Sequence, residues 1–487
     1  MRADTGNSDP RLRPGDDRAA LRSRRLALAG VAIASFLGCI DFTIVNTAIP
    51  AIQRELGAQV EQSRWIVTAF VMALSSFMVA AGRLADMHGR RRVMYLGMLV
   101  FGAGSLGAGL AGNMGVLVAW RVVQGLACAV LYTASTAIVS HAFPAEERGK
   151  AIGLLFSANG LGLAIGPVIG GLLVSAAGWR WVFLLNVPFI LLSLALCKGH
   201  VQESRADLQD GEGHDFPGLL LLMTSLPLLL LAIGFGAEWG WTSARTLGTL
   251  TAGVLLFALL VVVERRTPFP LIRFDLFTRR AFVIAGLASA ALAFFYCAAF
   301  FLMPLYLHVV RTQGDASIGW LLLPTTAVMA LVSPSAGRWV DRAGTRVPLL
   351  CGFLALALSA LLQARFDAGP GWALVMAAFA CMGLGWGLIL GPSTVAALSA
   401  VPASLSGVAT GAAWTLHNFG GALGLTIATL AFGMAAGANG QAPDASGFLK
   451  GYTAAMWVLA GVALAMAAVL AAFGHPRSSV QVEAQSP

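Results

Sequence analysis

Long apolar runs, broken by short clusters of charged, glycine, proline or amide residues, set the rhythm of this chain. Fourteen such runs fall at about 26–48, 64–84, 93–112, 116–141, 149–177, 181–197, 217–236, 246–264, 281–307, 317–339, 347–365, 372–398, 405–436 and 451–473. Each is near the roughly 20 residues that an α-helix needs to cross a bilayer. Each is also too long for a strand. The pattern predicts an all-α integral membrane protein with fourteen spans.

Composition agrees. The chain is 57% hydrophobic and only 11% charged, with mean hydropathy +0.77, whereas a soluble domain carries about 25% charged residues. An even number of spans puts both termini on one side, and the basic residues choose that side. With cytoplasmic termini, inner segments hold 24 Lys and Arg, outer segments hold seven, and Arg121 alone remains in a span. Positive charge accumulates on the cytoplasmic face, so residues 1–25 and 474–487 are expected to be cytoplasmic tails, the first one disordered. Beside a first span, the seven arginines of that tail read as a topology signal and not as a nucleic-acid site.

The six cysteines (Cys39, Cys128, Cys197, Cys297, Cys351, Cys381) all lie in apolar segments, with no CxxC pair and no His-rich ligand spacing. They argue against a disulfide framework and against a metal site. No small-residue cleavage site follows a short apolar core, so a cleaved signal peptide is not expected.

An internal repeat organises the spans. The loop GRLADMHGRR (Gly82 to Arg91) aligns with GRWVDRAGTR (Gly337 to Arg346), and Gly149, Gly153, Gly162 and Gly166 align with Gly407, Gly411, Gly420 and Gly424. This divides the chain into a six-helix bundle at 26–197, two inserted helices with flanking loops at 198–280, and a second six-helix bundle at 281–473. Parallel repeats of this kind suit transporters whose halves rock around a midplane site.

Several motifs carry a resemblance to a known family. GRLADMHGRR is similar to the signature between the second and third helices of the major facilitator superfamily, and RVVQG (Arg121 to Gly125) to its fourth-helix motif. Gly153, Gly162, Gly166, Pro167, Gly170 and Gly171 match the antiporter pattern G-x8-G-x3-G-P-x2-G-G, and IDFTIVNTAIP (Ile40 to Pro50) matches the first-helix motif of the fourteen-helix drug/proton antiporters of the EmrB/QacA type. The resemblance extends over essentially the whole chain. It implies the major facilitator fold, residence in the inner or plasma membrane, and proton-driven export of lipophilic drugs or toxic compounds without a cofactor. No Walker-type loop is present for ATP.

Asp41 is the candidate proton carrier. A charged residue near the bilayer centre costs roughly 3 kcal/mol and usually faces a cavity or a partner. Counting from Arg25 at about 1.5 Å per residue puts Asp41 about 24 Å along the core, and Arg121 lies at similar depth on span four. The two form the only charged pair expected inside the spans. They read as a proton-coupling pair, with a static buried ion pair as the plain alternative.

The loop residues Gly82, Asp86, Gly89 and Arg90 form a candidate inner gate, Asp86 meeting the N-terminal end of span thirteen near Ser404 to Gly407. By repeat symmetry, Asp341 is expected near Arg148 at the start of span five. The alternative is a tight turn that only obeys the charge rule. Gly162, Gly166 and Gly170 recur every fourth residue along one face that lets another helix approach closely, and Pro167 supplies a kink site.

The second half has no Asp or Glu within its membrane cores. Its polar candidates are Tyr296, His308, His417 and Asn418, with His417 read as a hydrogen-bonded packing residue. The substrate-binding residues are unassigned. A single membrane carboxylate favours lipophilic neutral or monovalent cationic substrates. The two inserted spans are expected to be wholly apolar and lipid-facing, with Trp239 and Trp241 at the outer interface. Expected partners are the bilayer, a small lipophilic substrate and protons, with a periplasmic adaptor protein left open. Rival readings are an exporter of an endogenous metabolite or antibiotic and a nutrient/proton symporter. A membrane enzyme would need clustered His, Asp or Ser in the spans, and no such cluster is found.

Overall fold

The computed structural model describes residues 14–58, 60–204, 215–367, 369, 371–402, 405–437 and 445–473. Residues 1–13 of the first tail, the second tail, Arg205 and Ser404 lie outside that set. The described chain is helical throughout: α1 (Pro14–Leu56), α2 (Val60–His88), α3 (Arg90–Gly109), α4 (Met114–Ala142), α5 (Ala145–Ala177), α6 (Arg180–Leu184), α7 (Asn186–Cys197), α8 (Phe216–Trp239), α9 (Ala244–Arg266), α10 (Arg280–Val309), α11 (Asp315–Ala343), α12 (Arg346–Gln363), α13 (Trp372–Ser399), α14 (Ser406–Ala436) and α15 (Ala445–Phe473). Thirteen spans among the described residues are long and apolar enough to cross a membrane, α6 and α7 together making one of them. The glycine-diluted α3 corresponds to the one remaining expected span, 93–112.

Two boundaries differ from the sequence reading. Helix α1 begins at Pro14, so the last part of the expected disordered tail is helical, and it passes through Pro50 to end at Leu56. Proline is tolerated inside membrane helices because neighbouring groups satisfy the freed carbonyl. Span six is broken between α6 and α7 at Leu185. Pro188 has no N–H to donate to the carbonyl four residues earlier, at Leu184, which favours a break there.

Helices α1–α7 pack as one bundle and α10–α15 as another. In lipid the tails are as apolar as leucine, so close packing of small residues and buried polar contacts hold such bundles together. Three of the glycines predicted to line one face do this between α5 and α1. A Cβ on Gly162, Gly166 or Gly170 would fall under 3.0 Å from Phe36, Thr43 or Thr47 respectively. The repeat reproduces the packing in the second bundle, where Gly420 and Gly424 of α14 lie against Ala290 and Phe294 of α10. Gly171 has nothing within 4 Å.

The inserted helices are not simply lipid-facing. Helix α8 runs antiparallel along α2: Arg64 and Glu238 form an ion pair at one end, and Arg83 and Asp215 line a shared cavity at the other. It also touches the second bundle, Thr426 Oγ1 donating to the Ile233 carbonyl at 3.1 Å. Helix α9 is the outer of the two, but its Glu264 is buried, contrary to the expectation of a wholly apolar insertion.

Candidate functional site

Asp41 and Arg121 are brought together and are both fully buried. Arg121 Nη1 donates to Asp41 Oδ2. The pair sits in a polar network drawn from five helices. Asn186 Nδ2 donates to Asp41 Oδ1 at 3.0 Å, Gln124 Nε2 to the same oxygen at 3.4 Å, and both amides reach Ser105 Oγ, at 3.2 and 2.8 Å. Arg121 Nε donates to the Ile66 carbonyl at 2.9 Å, and the guanidinium lies 4.2 Å from the centre of the Phe70 ring. One guanidinium nitrogen, Nη2, is buried with no hydrogen-bond partner. The break between α6 and α7 is what aims Asn186 at the acid.

The second constellation lies at the opposite end of the bundle, at the turn after α2. Gly89 has φ 98°, a left-handed value that glycine adopts without strain. Asp86 is buried against Arg90, whose Nη2 donates to Oδ1 at 2.7 Å, and its Oδ2 accepts the N–H of Val408 in the first turn of α14 at 3.1 Å. This is a second buried charged pair, so Asp41–Arg121 is not the only one. Gly82 and Gly407 meet backbone to backbone beside it, with no space for a Cβ on either.

The repeat builds a matching contact. Asp341 accepts the N–H groups of Gly149 and Lys150 at 2.7 and 2.9 Å, and Gly149 meets Gly337. The donors are the backbone amides of α5's first turns and not the Arg148 side chain. Gly153, further along α5, packs on Ser333 of α11. A helix N-terminus with free amides favours an anion, so each aspartate ties one bundle to the other. This end is closed.

Between the two bundles lies an aromatic cluster of which only Tyr296 and His417 are among the sequence candidates. Tyr132 of α4 stacks on Trp414 of α14 (ring centroids 5.5 Å, 12° between planes), and Phe156 of α5 lies against the same indole. Tyr296 of α10 stacks on Trp386 of α13 at 4.3 Å, and His417 of α14 lies between the two stacks. His417 Nδ1 pairs with the Ser289 carbonyl at 2.9 Å, so Nδ1 carries the hydrogen and Nε2 accepts from the Tyr296 hydroxyl at 3.4 Å. Trp386 Nε1 is buried without a partner. Asn418 reaches across to Met78 of α2, whereas His308 is exposed near the end of α10.

Residues 31–425 match the family described as the Major Facilitator Superfamily. The chain belongs to that superfamily. Among curated relatives, the multidrug resistance protein Stp of Mycobacterium tuberculosis is 35% identical over 407 residues, which is 83% of this chain and 75% of Stp. The tetracenomycin C resistance and export protein of Streptomyces glaucescens is 32% identical over 400 residues, 82% of this chain and 74% of that protein. The crystal structure of the human organic anion transporter MFSD10 (TETRAN) superposes with a TM-score of 0.66 at 15% identity, covering 92% of this chain and 99% of that one. This facilitator is thus a multi-pass plasma-membrane protein of a transporter family, and its relatives include multidrug and antibiotic resistance transporters.

Within this facilitator the first-half motifs carried enough signal to find Asp41, Arg121, Asp86 and the glycines. Ser105, Gln124 and Asn186 do not stand out in the sequence, because a neutral polar residue in a span has no distinctive spacing. Gln124 does fall inside RVVQG. Asn186 stands just before Pro188, and a polar residue beside a helix break was the available clue.

Proposed function

We propose that this facilitator is a proton-coupled antiporter of the fourteen-helix drug/proton branch, exporting lipophilic drugs or toxic compounds, with Asp41 as the proton carrier. The observation that carries the reading is the incompletely satisfied Asp41–Arg121 network. A buried ion pair is favourable only when its remaining donors and acceptors are matched, and Arg121 Nη2 is not. Protonating Asp41 would neutralise the acid and free the guanidinium to take other partners, giving the network two arrangements of comparable cost. The inserted pair α8–α9 and the relatives named for resistance support the branch and the direction of transport.

Arginine bias makes the Gly89 end cytoplasmic, so the conformation described is closed to the cytoplasm. Asp41 is linked to the aromatic cluster through its own helix: Cys39 Sγ lies 3.0 Å from the Tyr132 hydroxyl, and Tyr132 stacks on Trp414. A shift of α1 on protonation would reach residues of both bundles through that contact. Stacked rings with few hydrogen-bonding groups suit flat aromatic substrates, neutral or singly cationic. One proton moving down about 150 mV supplies about 3.5 kcal/mol, equivalent to a gradient of a few hundred-fold.

The test is transport of a lipophilic aromatic dye in inside-out vesicles. Asp41→Asn is expected to abolish proton-driven accumulation while leaving passive dye exchange through the protein. Undiminished proton-driven accumulation by Asp41→Asn would remove Asp41 from the mechanism.

A further inference from the structure

The inserted helices carry two acids that the transport reading does not use. Asp215 caps α8, its Oδ1 accepting the N–H of Gly218 at 2.8 Å. Glu264, in the last turn of α9, is 2% exposed, and its Oε2 accepts the N–H of Ile272 at 3.1 Å. The other oxygen of each carboxyl, Asp215 Oδ2 and Glu264 Oε1, is buried with no hydrogen-bond partner. Both lie against the same face of Gly218, where a single Cβ would clash with the two together. Ionised carboxylates only accept, so two such oxygens cannot satisfy one another. A proton makes one of them a donor, and like charges held this close cannot both ionise.

We propose that Asp215 and Glu264 form a proton-binding site, one proton being shared between them as an acid–carboxylate pair.

The charged surroundings are compatible with a single net negative charge. Arg83 of α2 lines the same cavity of about 100 Å³ as Asp215. Arg265 and Arg266 follow Glu264 on α9, Arg273 pairs with Asp275 in the connection to α10, and Arg279 donates to the Ala400 carbonyl. His214 precedes Asp215 in sequence and lies outside the described residues. Val408, Ala409, Ala412 and Ala413 of α14 belong to the apolar cluster that includes Leu271 and Ile272. Two full carboxylates would add a second negative charge to this apolar seat.

The position gives the proton a consequence. Leu222 and Leu226 of α8, Leu260 of α9, and Leu271 and Ile272 of the connection form one cluster with Val79 and Ala80 of α2 and Val408 and Ala409 of α14. Val79, Ala80, Val408 and Ala409 of that cluster flank Gly82 and Gly407 along their helices, and Gly82 also lies against the Val408 backbone. A bound proton keeps α8, α9 and the connection seated there, and its loss sets two like charges against each other. Proton binding and closure of this end are therefore linked. That the site reads cytoplasmic acidity, and slows turnover as imported protons accumulate, rests on the orientation and antiport proposed above. The proton site itself does not.

The test uses the full-length protein in lipid nanodiscs, by infrared spectroscopy and thermal unfolding from acid to alkaline pH. Wild type should show a protonated-carboxyl C=O band that disappears as pH rises, that is missing from Glu264→Gln, and that survives in Asp41→Asn. A proton held by the folded state and released on unfolding stabilises at low pH, and that stability is lost as pH rises through the folded-state titration. The wild-type Tm should therefore fall over the same interval, and the Glu264→Gln Tm should not. If Glu264→Gln does not fold, Asp215→Asn carries the same expectation while keeping an oxygen for Gly218. Identical bands and identical pH slopes in wild type and variant would overturn the proposal. Neither readout involves transport, so failure of the antiport reading would leave this result intact.

Discussion

Asp86 Oδ2 accepts the backbone N–H of Val408 at 3.1 Å, joining the end of α2 to the first turn of α14 across 322 positions of chain. Asp341 makes the corresponding contact from α11 to α5, with two backbone amides. The two halves of the repeat thus use the same device twice, an aspartate at a helix C-terminus placed on the positive end of a helix from the other half.

Removing that anion should open this end. Asp86→Ala deletes the acceptor for Val408 and takes the carboxylate away from the buried Arg90 guanidinium, which keeps its contact with His141 Nε2 at 2.8 Å; breaking a buried ion pair costs about 3–5 kcal/mol. Cysteine-labelling reagents added from the Arg90 side should then reach positions along α2 and α14 that wild type protects. Asp86→Asn, which keeps an oxygen for Val408, should show less of this opening. Equal protection in Asp86→Ala and wild type would reduce the loop to a topology signal.

The glycine contact beside it is a separate requirement. A Cβ on Gly82 has no space against the Gly407 carbonyl, and that neighbour is backbone, which cannot rotate away. Gly82→Ala is expected to cut export at least tenfold by preventing closure, with protein level and Tm little changed. Gly171→Ala, at a position with nothing within 4 Å, serves as the control and should transport normally.

Asn186 holds one oxygen of Asp41 at 3.0 Å without carrying charge. Asn186→Ala removes a buried hydrogen bond to a charged group, worth about 1.5–3 kcal/mol, and frees one carboxylate oxygen of Asp41 from its neighbour. Proton-driven dye export should fall about tenfold, corresponding to about 1.4 kcal/mol, while passive dye exchange through the protein is retained. Unchanged proton-driven export would mean that Asn186 only packs.

Trp414 presents its indole to Tyr132, Phe156 and His417, on elements from both bundles. Trp414→Ala should weaken export of planar aromatic dyes about tenfold, corresponding to about 1.4 kcal/mol, with the apparent affinity changed more than the maximal rate. Non-aromatic lipophilic cations should be affected less. Equal losses for both classes would point to damaged packing instead of lost recognition.

The sequence by itself determined the helices, their order and the repeat, because hydrophobic length and glycine spacing are local properties written in consecutive residues. It also exposed Asp41, Arg121 and Asp86, since a charge in an apolar run is visible without knowing its neighbours. Only the tertiary structure decided what those charges touch. Asn186 and Ser105 acquire meaning from a break in span six and from three helices converging on one carboxylate. Tyr132, Trp386 and Trp414 look like ordinary core residues until two bundles bring them face to face. Asp215 and Glu264 lie 49 positions apart in a stretch that reads as plain lipid anchor, and their relationship exists only because α8 and α9 fold back on each other beside α2. Burial, pairing and closure are relations between distant segments, and no periodicity along one segment encodes them.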